Sequence, residues 1–405
     1  GLWCVNVGYG RHELAEAAYE QMKELPYYNS FFRCTTPTPV LLAEKLAQIS
    51  PENISQVFYG SSGSEANDTA LRLVRHYWAL EGKPQKNRII SRRWAYHGST
   101  VAGTSLGGMS AMREQLYGAV PNIDHVMPPY AFELAEPGES DHDFGLRAAR
   151  AVEEAILAAG AENVAAFIGE PIQGAGGVII APDSYWPEIQ RIVDKYGILL
   201  IADEVITGFG RTGNWFGSQT LNIRPHIMTI AKGLSSGYAP IGGSVVCDEV
   251  AAVIASDEFN HGYTYSGHPV AAAIALENLR ILEEEQVIEH VRDVAHPYLA
   301  ERWHALADHP LVGETKLIGL MGSLALTPVK GERARFAADA GTAGYITRER
   351  CFANNVIMRH VYDRMIISPP LVITPSEIDV LIDRATKALD EAYAKMKEEG
   401  LLKKA

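Results

Sequence analysis

Cysteine is scarce in this chain, and other features that mark whole classes of protein are missing as well. Only four of the 405 residues are cysteines, and they form no C-x-x-C pair, so the sequence indicates neither a disulfide framework nor a zinc site. No apolar run reaches the 18 residues that a membrane-spanning helix needs, and no signal peptide is visible. Lysine and arginine number 36 against 49 aspartates and glutamates, which gives a net charge of −13 and leaves no basic surface for nucleic acid. These absences favour a cytoplasmic protein that binds neither nucleic acid nor membranes.

The remaining composition is that of a globular protein with two or three domains. Hydrophobic residues make up 47% of the chain and charged residues 21%, which excludes disorder as the main state. In the first two thirds, apolar strands alternate with amphipathic helices, a pattern typical of a mostly parallel sheet covered by helices on both faces. From Pro269 a long helical region over 271–308 leads into short strands and a last helix over 376–398. We therefore predict a large α/β domain at 1–268 and a smaller α+β domain at 269–405.

Periodicity and capping residues place the elements within this plan. Ser62 or Ser64 can cap a helix over 64–80, and Gly197 suits the end of a helix. The segment 128–140 is rich in proline, glycine and acidic residues and is interpreted as a surface excursion. Further helices are predicted over 12–25, 39–49, 143–159 and 184–196, strands over 56–59, 88–91, 164–169, 198–202, 228–230 and 243–247, and short elements of the smaller domain over 316–326, 356–359 and 365–367.

A turn rich in glycine and serine, YGSSGSEA at 59–66, connects a predicted strand to a helix. The amides at a helix N-terminus, beside glycines that permit close approach, can hold an anion such as a phosphate group. A single pattern of this kind is more often a simply capped helix. It matches neither the G-x-G-x-x-G of a dinucleotide fold nor the G-x-x-x-x-G-K-[ST] of a P-loop.

Two charged residues end predicted strands of the large domain. Asp203 follows the apolar run LLIA, and Lys232 follows TIA. Ligands bind at the carboxyl ends of parallel strands, and a partly buried lysine has a lowered pKa and can act as a nucleophile. Alone, Asp203 could be a helix cap or a metal ligand, and Lys232 a surface residue. Their shared position at strand ends of one sheet favours a common site.

An aromatic residue and a histidine follow another strand, in WAYHG at 94–98. The ring of Tyr96 can stack on a planar cofactor, although core packing is the commoner role of an isolated tyrosine. A phosphate cradle, a stacking ring, an acid for a ring nitrogen and an amine nucleophile are together the usual partners of pyridoxal phosphate.

These motifs make the sequence resemble the class III aminotransferases, which are fold-type-I pyridoxal-phosphate enzymes, and within them most of all the amine:pyruvate transaminases (ω-transaminases). The resemblance covers essentially the whole chain and implies transfer of an amino group from a diamine, ω-amino acid or arylalkylamine to a keto acid, expected to be pyruvate, giving alanine. It also implies a further segment ahead of Gly1. Six motifs carry it, in the family's order: SSGSEAND, WAYHGST, AAFIGEPIQGAGG, LLIADEVITGFGRTG, TIAKGLSSGYAPIGG and HGYTYSGHP.

The resemblance assigns the cofactor-binding residues one by one. It makes Lys232 the catalytic lysine that bonds to the cofactor, and Asp203 the catalytic acid that pairs with the pyridinium nitrogen. It places Tyr96 on one face of the cofactor ring and Val205 on the other. The remaining residues that it implies are Ser62, Gly63 and Ser64 at the phosphate, Glu170 near the edge of the cofactor, and Thr264, which reaches the phosphate of the neighbouring subunit.

On the substrate side the resemblance implies a mobile arginine. Relatives that handle ornithine or γ-aminobutyrate carry a glutamate where this chain has Ala175, and that glutamate pairs with a site arginine. Without it, Arg359 is expected to swing and to bind the carboxylate of the keto acid. The alternative is a surface ion pair. Trp3, Phe31 and Tyr96 match aromatic positions of the amine pocket, while core packing is about equally expected for the first two.

Other readings stay open from the sequence. An aminomutase or a dialkylglycine decarboxylase has the same fold, and a non-catalytic pyridoxal-phosphate-binding protein is disfavoured only because Lys232 and Asp203 are intact. A nicotinamide dehydrogenase is disfavoured because no G-x-G-x-x-G follows the first strand. The role implied for Thr264 predicts a homodimer, or a tetramer built of dimers, with shared active sites. Arg211 of GFGRTG is interpreted as structural.

Overall fold

The computed structural model describes residues 1–404 and has a seven-stranded sheet at its centre. Its strands are β1 (Ile54–Gly60), β2 (Arg88–Arg92), β3 (Ile123–Val126), β4 (Val164–Gly169), β5 (Leu199–Asp203), β6 (Ile227–Ile230) and β7 (Gly242–Cys247). The order across the sheet is β1-β7-β6-β5-β4-β2-β3. Only β7 runs antiparallel to its neighbours, so the expectation of a mostly parallel sheet is confirmed. The sequence analysis missed β3, whose four residues IDHV include two polar ones.

Helices cover the sheet and bury both of its faces. The helices of this part of the chain are α1 (His12–Glu24), α2 (Pro37–Ile49), α3 (Gly63–Leu80), α4 (Val101–Leu106), α5 (Ser110–Glu114), α6 (Ala131–Leu134), α7 (Asp141–Ala159), α8 (Tyr185–Tyr196), α9 (Gly217–Thr220) and α10 (Asp248–Ile254). In β5, Ile201 belongs to the apolar cluster that includes α3, whereas Leu200 belongs to the cluster that includes α7 and α8. Successive residues of a strand point to opposite faces, so a sheet that is buried on both faces has continuously apolar strands.

The residues predicted to begin and end two helices are confirmed. Ser62 is the N-cap of α3, and Gly197 ends α8 with a left-handed backbone (φ 53°), as expected. The interpretation of 128–140 as a surface excursion was wrong in part, because the segment contains α6 and its aromatic residues Tyr130 and Phe132 are buried. The two rings pack against Ile179 and Ala325. The proline, glycine and acidic residues around them give no regular hydrophobic period that would predict this burial.

A separate antiparallel sheet of four strands lies in the C-terminal part, in the order β10-β11-β9-β8. Its strands are β8 (Val312–Ile318), β9 (Met321–Leu326), β10 (Arg359–Val361) and β11 (Arg364–Ile367), and the helices of this part are α11 (Pro269–Glu284), α12 (Val287–His290), α13 (His296–Ala305), α14 (Thr342–Ala353) and α15 (Pro375–Glu398). None of the helices within residues 1–404 is long and apolar enough to span a membrane. The division into two domains between residues 268 and 269 stays a prediction.

Three predicted boundaries in this part were wrong. The helical region predicted over 271–308 is not continuous, because α11 ends at Glu284 and Gln286 adopts a left-handed conformation (φ 52°). The segment 316–326 is a hairpin that turns at Gly319, where a Cβ atom would lie 2.3 Å from the carbonyl oxygen of Arg211. The strand expected over 356–359 instead begins at Arg359.

Candidate active site

A cavity of about 440 Å³ lies at the carboxyl ends of the central strands. Its walls come from the ends of β4, β5 and β6, from the start of α3 and from the loop after β2. The structure brings eight of the residues singled out from the sequence to this one cavity: Ser62, Gly63, Ser64, Tyr96, Glu170, Asp203, Val205 and Lys232.

Asp203, the last residue of β5, is buried and held by three hydrogen bonds. His97 donates through Nδ1–H to Oδ2 at 2.7 Å, and the amide group of Asn67 donates to the same oxygen at 2.9 Å. The backbone N–H of Val205 donates to Oδ1 at 3.1 Å. Burial alone would raise the pKa of the Asp203 carboxyl, but these hydrogen bonds outweigh it, so the pKa lies below its usual value. The site therefore contains a fixed negative charge.

The sequence analysis gave no role to the two side chains that hold Asp203. Asn67 lies one helical turn after Gly63, so both residues share a face of α3. His97 directly follows Tyr96 in the WAYHG motif. A carboxylate that must stay ionised while buried needs donors, and this requirement was the available signal for both residues. His97 Nε2 and Asn67 Oδ1 are themselves buried without a partner within residues 1–404.

Lys232 lies two residues after the end of β6 and has a left-handed backbone (φ 47°). A positive φ is uncommon for a residue with a side chain and recurs at functional sites. Among residues 1–404, no group hydrogen-bonds to its Nζ atom. Burial lowers the pKa of the ammonium group, while the negative charges of Asp203 and Glu170 oppose the shift. An amine with a lowered pKa is available as a neutral nucleophile or base closer to neutral pH.

The start of α3 forms the anion-binding end of the cavity. The hydroxyl of Ser62 accepts a hydrogen bond from the amide of Glu65 at 3.2 Å, which caps the helix. The amides of Gly63 and Ser64 belong to the first turn and so have no intrahelical acceptor. A Cβ atom on Gly63 would lie 2.8 Å from both methyl groups of Val205, so glycine is needed where the helix meets that side chain. Free amides and the helix dipole together suit a phosphate group.

Glu170 connects the two loops that border the cavity. Its buried carboxylate accepts the backbone N–H of Tyr96 at 3.2 Å and that of Gly174 at 2.9 Å. Burial raises the pKa of this carboxyl, and the nearby Asp203 acts in the same direction. The hydroxyl of Tyr96 lies 3.0 Å from that of Ser99. Glu170 thus holds Tyr96 in place through the backbone N–H of Tyr96 and not through the tyrosine ring.

This arrangement fits pyridoxal phosphate. The amine of Lys232 can bond to the aldehyde carbon, the carboxylate of Asp203 can accept the pyridinium N–H, and the free amides of Gly63 and Ser64 can hold the phosphate. Each of these groups lines the same cavity. The unpartnered Nε2 of His97 is a further buried polar atom at the cavity wall.

Five predicted residues lie outside the cavity lining: Thr264, Phe31, Trp3, Arg359 and Ala175. Thr264 is exposed, and Phe31 lines another cavity, where its ring would be 2.5 Å from a Cβ atom on Gly262. Trp3 is buried in an apolar cluster with Ile206, and Ile206 does line the cofactor cavity. Within this chain, the structure therefore brings neither Phe31 nor Thr264 to the site, and it gives Trp3 an indirect contact.

The residues predicted for substrate binding differ in their surroundings. Arg359 begins β10 and is exposed, and its side chain makes no hydrogen bond or ion pair within residues 1–404. Its side chain does not line the cavity, although its positive charge contributes to lowering the pKa of Lys232. Ala175 is buried in the turn after Glu170. Arg211 lies outside the cavity lining, where it donates to the Asn6 side chain at 2.9 Å and to a backbone carbonyl, as expected of a structural residue.

Comparison with known proteins relates this site to a family. The family model described as "Aminotransferase class-III" matches residues 1–389. The putrescine–pyruvate aminotransferase of Pseudomonas aeruginosa is 58% identical over 396 residues, covering 97% of this chain and 86% of that protein. The gamma-aminobutyrate transaminase 1, mitochondrial, of Oryza sativa subsp. indica is 41% identical over 406 residues, covering 98% of this chain and 78% of that protein.

Solved structures agree with these matches. The omega transaminase from Pseudomonas jessenii in complex with PMP has a TM-score of 0.95 at 41% identity, covering 98% of this chain and 88% of that one. The comparisons confirm the fold and the cofactor that the motifs imply. The chain belongs to the class III aminotransferases, which are fold-type-I enzymes that use pyridoxal phosphate.

Proposed function

We propose that the enzyme transfers an amino group from a diamine, an ω-amino acid or an arylalkylamine to pyruvate, and so forms alanine. The observation that carries this proposal is the exposed guanidinium group of Arg359, which has no hydrogen-bond or ion-pair partner within residues 1–404. An arginine fork suits a carboxylate, which a keto acid brings and an uncharged amine substituent does not. The side chain is exposed on a strand of three residues, so it can turn toward the one substrate and away from the other.

Ala175 supports the same proposal. It occupies the position at which relatives specific for ornithine or γ-aminobutyrate carry a glutamate, and a buried alanine offers Arg359 no charge to pair with. Within residues 1–404 no carboxylate forms an ion pair with Arg359. The arginine is thus left for the carboxylate of the keto acid.

Putrescine is the first amine to test. The relative with 58% identity is named for putrescine and pyruvate, and its match covers nearly the whole of this chain. We propose that Tyr96 borders the amine pocket together with Trp3 and with Phe31 of a second subunit. Aromatic rings accept the apolar part of an amine without requiring a charge.

The chain's own residues divide the chemical work. When bound, pyridoxal phosphate supplies a ring that withdraws electrons from the substrate carbon and carries the amino group between the two substrates. Lys232 would hold the cofactor through Nζ, and its free amine would be the group that moves the proton of the substrate Cα. Asp203 keeps the ring nitrogen protonated, because its carboxylate stays ionised.

The other residues of the cavity position these groups. Gly63 and Ser64, with the hydroxyl of Ser62 beside them, fix the phosphate end. Tyr96 and Val205, which both line the cavity, would pack on opposite faces of the ring. Glu170, at the edge of the ring, ties the loop of Tyr96 to the turn after β4.

We further propose a homodimer, or a tetramer built of dimers, in which each subunit completes the partner's site. Thr264 and Phe31 lie outside the cavity of their own chain, and the hydroxyl of Tyr27 holds the backbone of Thr264 at 2.6 Å. Large apolar side chains are exposed around them, with Phe32 at 90% and Tyr265 at 61% exposure. Exposed aromatic residues in such a group are typical of a protein interface.

Subunit hybrids test the shared site. Mixing Lys232→Ala and Thr264→Ala chains should give hybrids with one doubly altered site and one intact site, so activity should return to about half that of the wild type per hybrid. If subunit exchange is demonstrated and no activity returns, the proposal of shared sites is wrong.

An amine panel with pyruvate as acceptor tests the proposed reaction. The purified holoenzyme is mixed with pyruvate and putrescine, β-alanine or an arylalkylamine, and alanine is measured. Alanine formed in proportion to the amine consumed supports the proposal. An isomerised amino acid or released CO₂ without alanine would instead indicate an aminomutase or a dialkylglycine decarboxylase. We place this reaction in the cytoplasm, in keeping with four cysteines that are all free thiols.

A further inference from the structure

A second cavity, of about 280 Å³, lies between α6, the loop after β2 and the smaller sheet. Five of its lining residues are aromatic: Trp94, Tyr130, Phe132, Phe336 and Tyr362. Arg364, the first residue of β11, lines it as well. None of its lining residues belongs to the lining of the cofactor cavity, so the two are separate sites.

Arg364 brings a buried positive charge to this cavity. The residue is 2% exposed, and its Nη2 donates to the carbonyl oxygen of Gly176 at 2.7 Å. Its Nε and Nη1 atoms are buried and have no hydrogen-bond partner within residues 1–404. The guanidinium carbon lies 4.1 Å from the ring centre of Tyr130 and 5.4 Å from that of Trp94. Cation–π contacts of this kind stabilise a guanidinium group without using its N–H donors.

The acidic residues around the cavity are already occupied. Asp363 accepts two backbone amides, at 3.0 and 3.2 Å. Glu133 pairs with Arg335 at 3.1 Å. Glu314 shares a different, much smaller cavity with Tyr130 and makes no ion pair with Arg364 among residues 1–404. A buried cation is costly unless a counter-charge and hydrogen bonds compensate it. Glu314 is the one of these carboxylates that interacts electrostatically with Arg364, and none of the three hydrogen-bonds to it within residues 1–404.

We infer that this second cavity binds a small organic carboxylate with an apolar or aromatic body. The carboxylate pairs with the free N–H groups of Arg364, and the body packs between the aromatic walls. A carboxylate matches the planar donors of arginine, whereas an inorganic anion would leave the aromatic walls without a partner. The volume is that of a compact molecule rather than of a peptide. The inference does not depend on which amine or keto acid the enzyme uses.

Crystals of the holoenzyme soaked in 4-bromobenzoate locate the ligand directly, because bromine gives anomalous density. The expected peak lies between the rings of Trp94 and Phe336, with the carboxylate at hydrogen-bond distance from Arg364. Several outcomes overturn the inference: a peak at the cofactor cavity alone, water alone beside Arg364, or protein atoms of a partner subunit or of another part of the chain in the cavity.

Calorimetry in solution then separates this site from the active site. In an Arg359→Met holoenzyme, which lacks the proposed active-site partner for a carboxylate, benzoate should still bind with one site per chain. Adding Arg364→Met should weaken this binding by roughly tenfold to a hundredfold, the effect of losing a hydrogen-bonded charge. Adding Arg333→Met should change it little, because that arginine lies outside the cavity lining.

A second variant provides an independent test in case Arg364→Met does not fold. Ala338 lines the cavity, and Ala338→Leu fills part of it without removing a charge. It should also weaken benzoate binding while the absorbance of the bound cofactor stays unchanged. Retained binding in both variants, or bromobenzoate density in crystals with no heat of binding in solution (binding at crystal concentration only), overturns the inference.

Discussion

The two sides of the cofactor cavity are built differently. On the cofactor side, Asp203 and Glu170 are buried, lie at or just beyond strand ends of the central sheet, and accept several hydrogen bonds each. On the proposed substrate side, Arg359 lies outside the cavity lining. It begins a three-residue strand at the edge of the smaller sheet, and its exposed side chain has no hydrogen-bond or ion-pair partner within residues 1–404. Phe31 and Thr264 do not reach their own chain's cavity at all.

This difference matches what each side has to recognise. The cofactor presents the same ring and phosphate in every cycle, so groups fixed in advance bind it without further ordering. The substrates alternate between an uncharged amine substituent and a carboxylate, and only a side chain with freedom to move can serve both. Variants on the cofactor side should therefore impair both half-reactions, whereas variants on the substrate side should separate them.

The largest effect is expected for Lys232→Ala, on the cofactor side. It removes the covalent attachment and the group that moves the Cα proton, so both half-reactions should slow by more than about 10⁴-fold. Phosphate binding at α3 should persist, because the start of that helix is untouched. Stopped-flow spectroscopy of the cofactor absorbance with putrescine and with pyruvate measures each half-reaction.

Lys86→Ala is the matched control for this variant. Lys86 is also buried, its pKa is lowered to about 8 by burial, and it donates to the carbonyl oxygen of Gly197 at 2.7 Å far from the cavity lining. Its removal should reduce stability but leave turnover per folded subunit unchanged. Turnover close to wild type in Lys232→Ala itself would remove that lysine from the mechanism.

Asp203→Asn should have the next largest effect. A neutral amide cannot stabilise a protonated ring nitrogen, and His97 and Asn67 would lose the charge to which they donate. We expect both half-reactions to fall by roughly 10²- to 10³-fold, the size of other losses of a preorganised electrostatic contact. Asp124→Asn, on β3 and paired with Arg88, is the control carboxylate. A rate near wild type at full cofactor content would contradict the role assigned to Asp203.

The sequence could predict that the residues of the cofactor cavity lie together because they are tied to strand ends and to one helix start. Asp203 and Lys232 follow apolar runs too short for anything but buried strands, and parallel strands bring such residues together whatever the details of packing. Ser62 and Gly63 follow from rules for helix N-termini. These motifs are short and contiguous in sequence, so they can be recognised in a single sequence without knowledge of long-range contacts.

The parts that the sequence did not predict depend on long-range contacts. His97 and Asn67 are ordinary residues until Asp203 is placed beside them, 106 and 136 positions further along the chain. The break after α11 depends on the left-handed conformation of Gln286, a residue with no turn signal of its own. Tyr130 and Phe132 are buried because the smaller sheet covers them, and no periodicity in 128–140 reveals a partner that lies so far away in sequence.

Arg359→Ala tests the substrate side of the comparison. The half-reaction with pyruvate should lose about tenfold to a hundredfold in kcat/KM, since a charge-assisted hydrogen bond contributes about 1.5–3 kcal/mol. The half-reaction with an uncharged arylalkylamine should change little. Separate stopped-flow measurements of the two half-reactions decide the matter. Equal losses in both would mean that Arg359 is structural, and that the keto acid's carboxylate has another partner.

The smallest effect is expected for Ser62→Ala, which distinguishes capping from cofactor binding. Loss of the hydrogen bond to the Glu65 amide should lower the free energy of unfolding by about 1 kcal/mol, a common value for an N-cap. Ser140→Ala removes an equivalent cap from α7, where Ser140 accepts from the amide of Asp143 at 3.1 Å, and should cost a similar amount. Only Ser62→Ala should also weaken the affinity of the apoenzyme for pyridoxal phosphate, by roughly fivefold if its hydroxyl contributes one ordinary hydrogen bond. Thermal melts of both apoenzymes measure the first effect, and fluorescence titration with the cofactor measures the second. If the two serine variants lose stability equally and bind the cofactor equally well, Ser62 is a helix cap alone, and the phosphate is held by the backbone of α3.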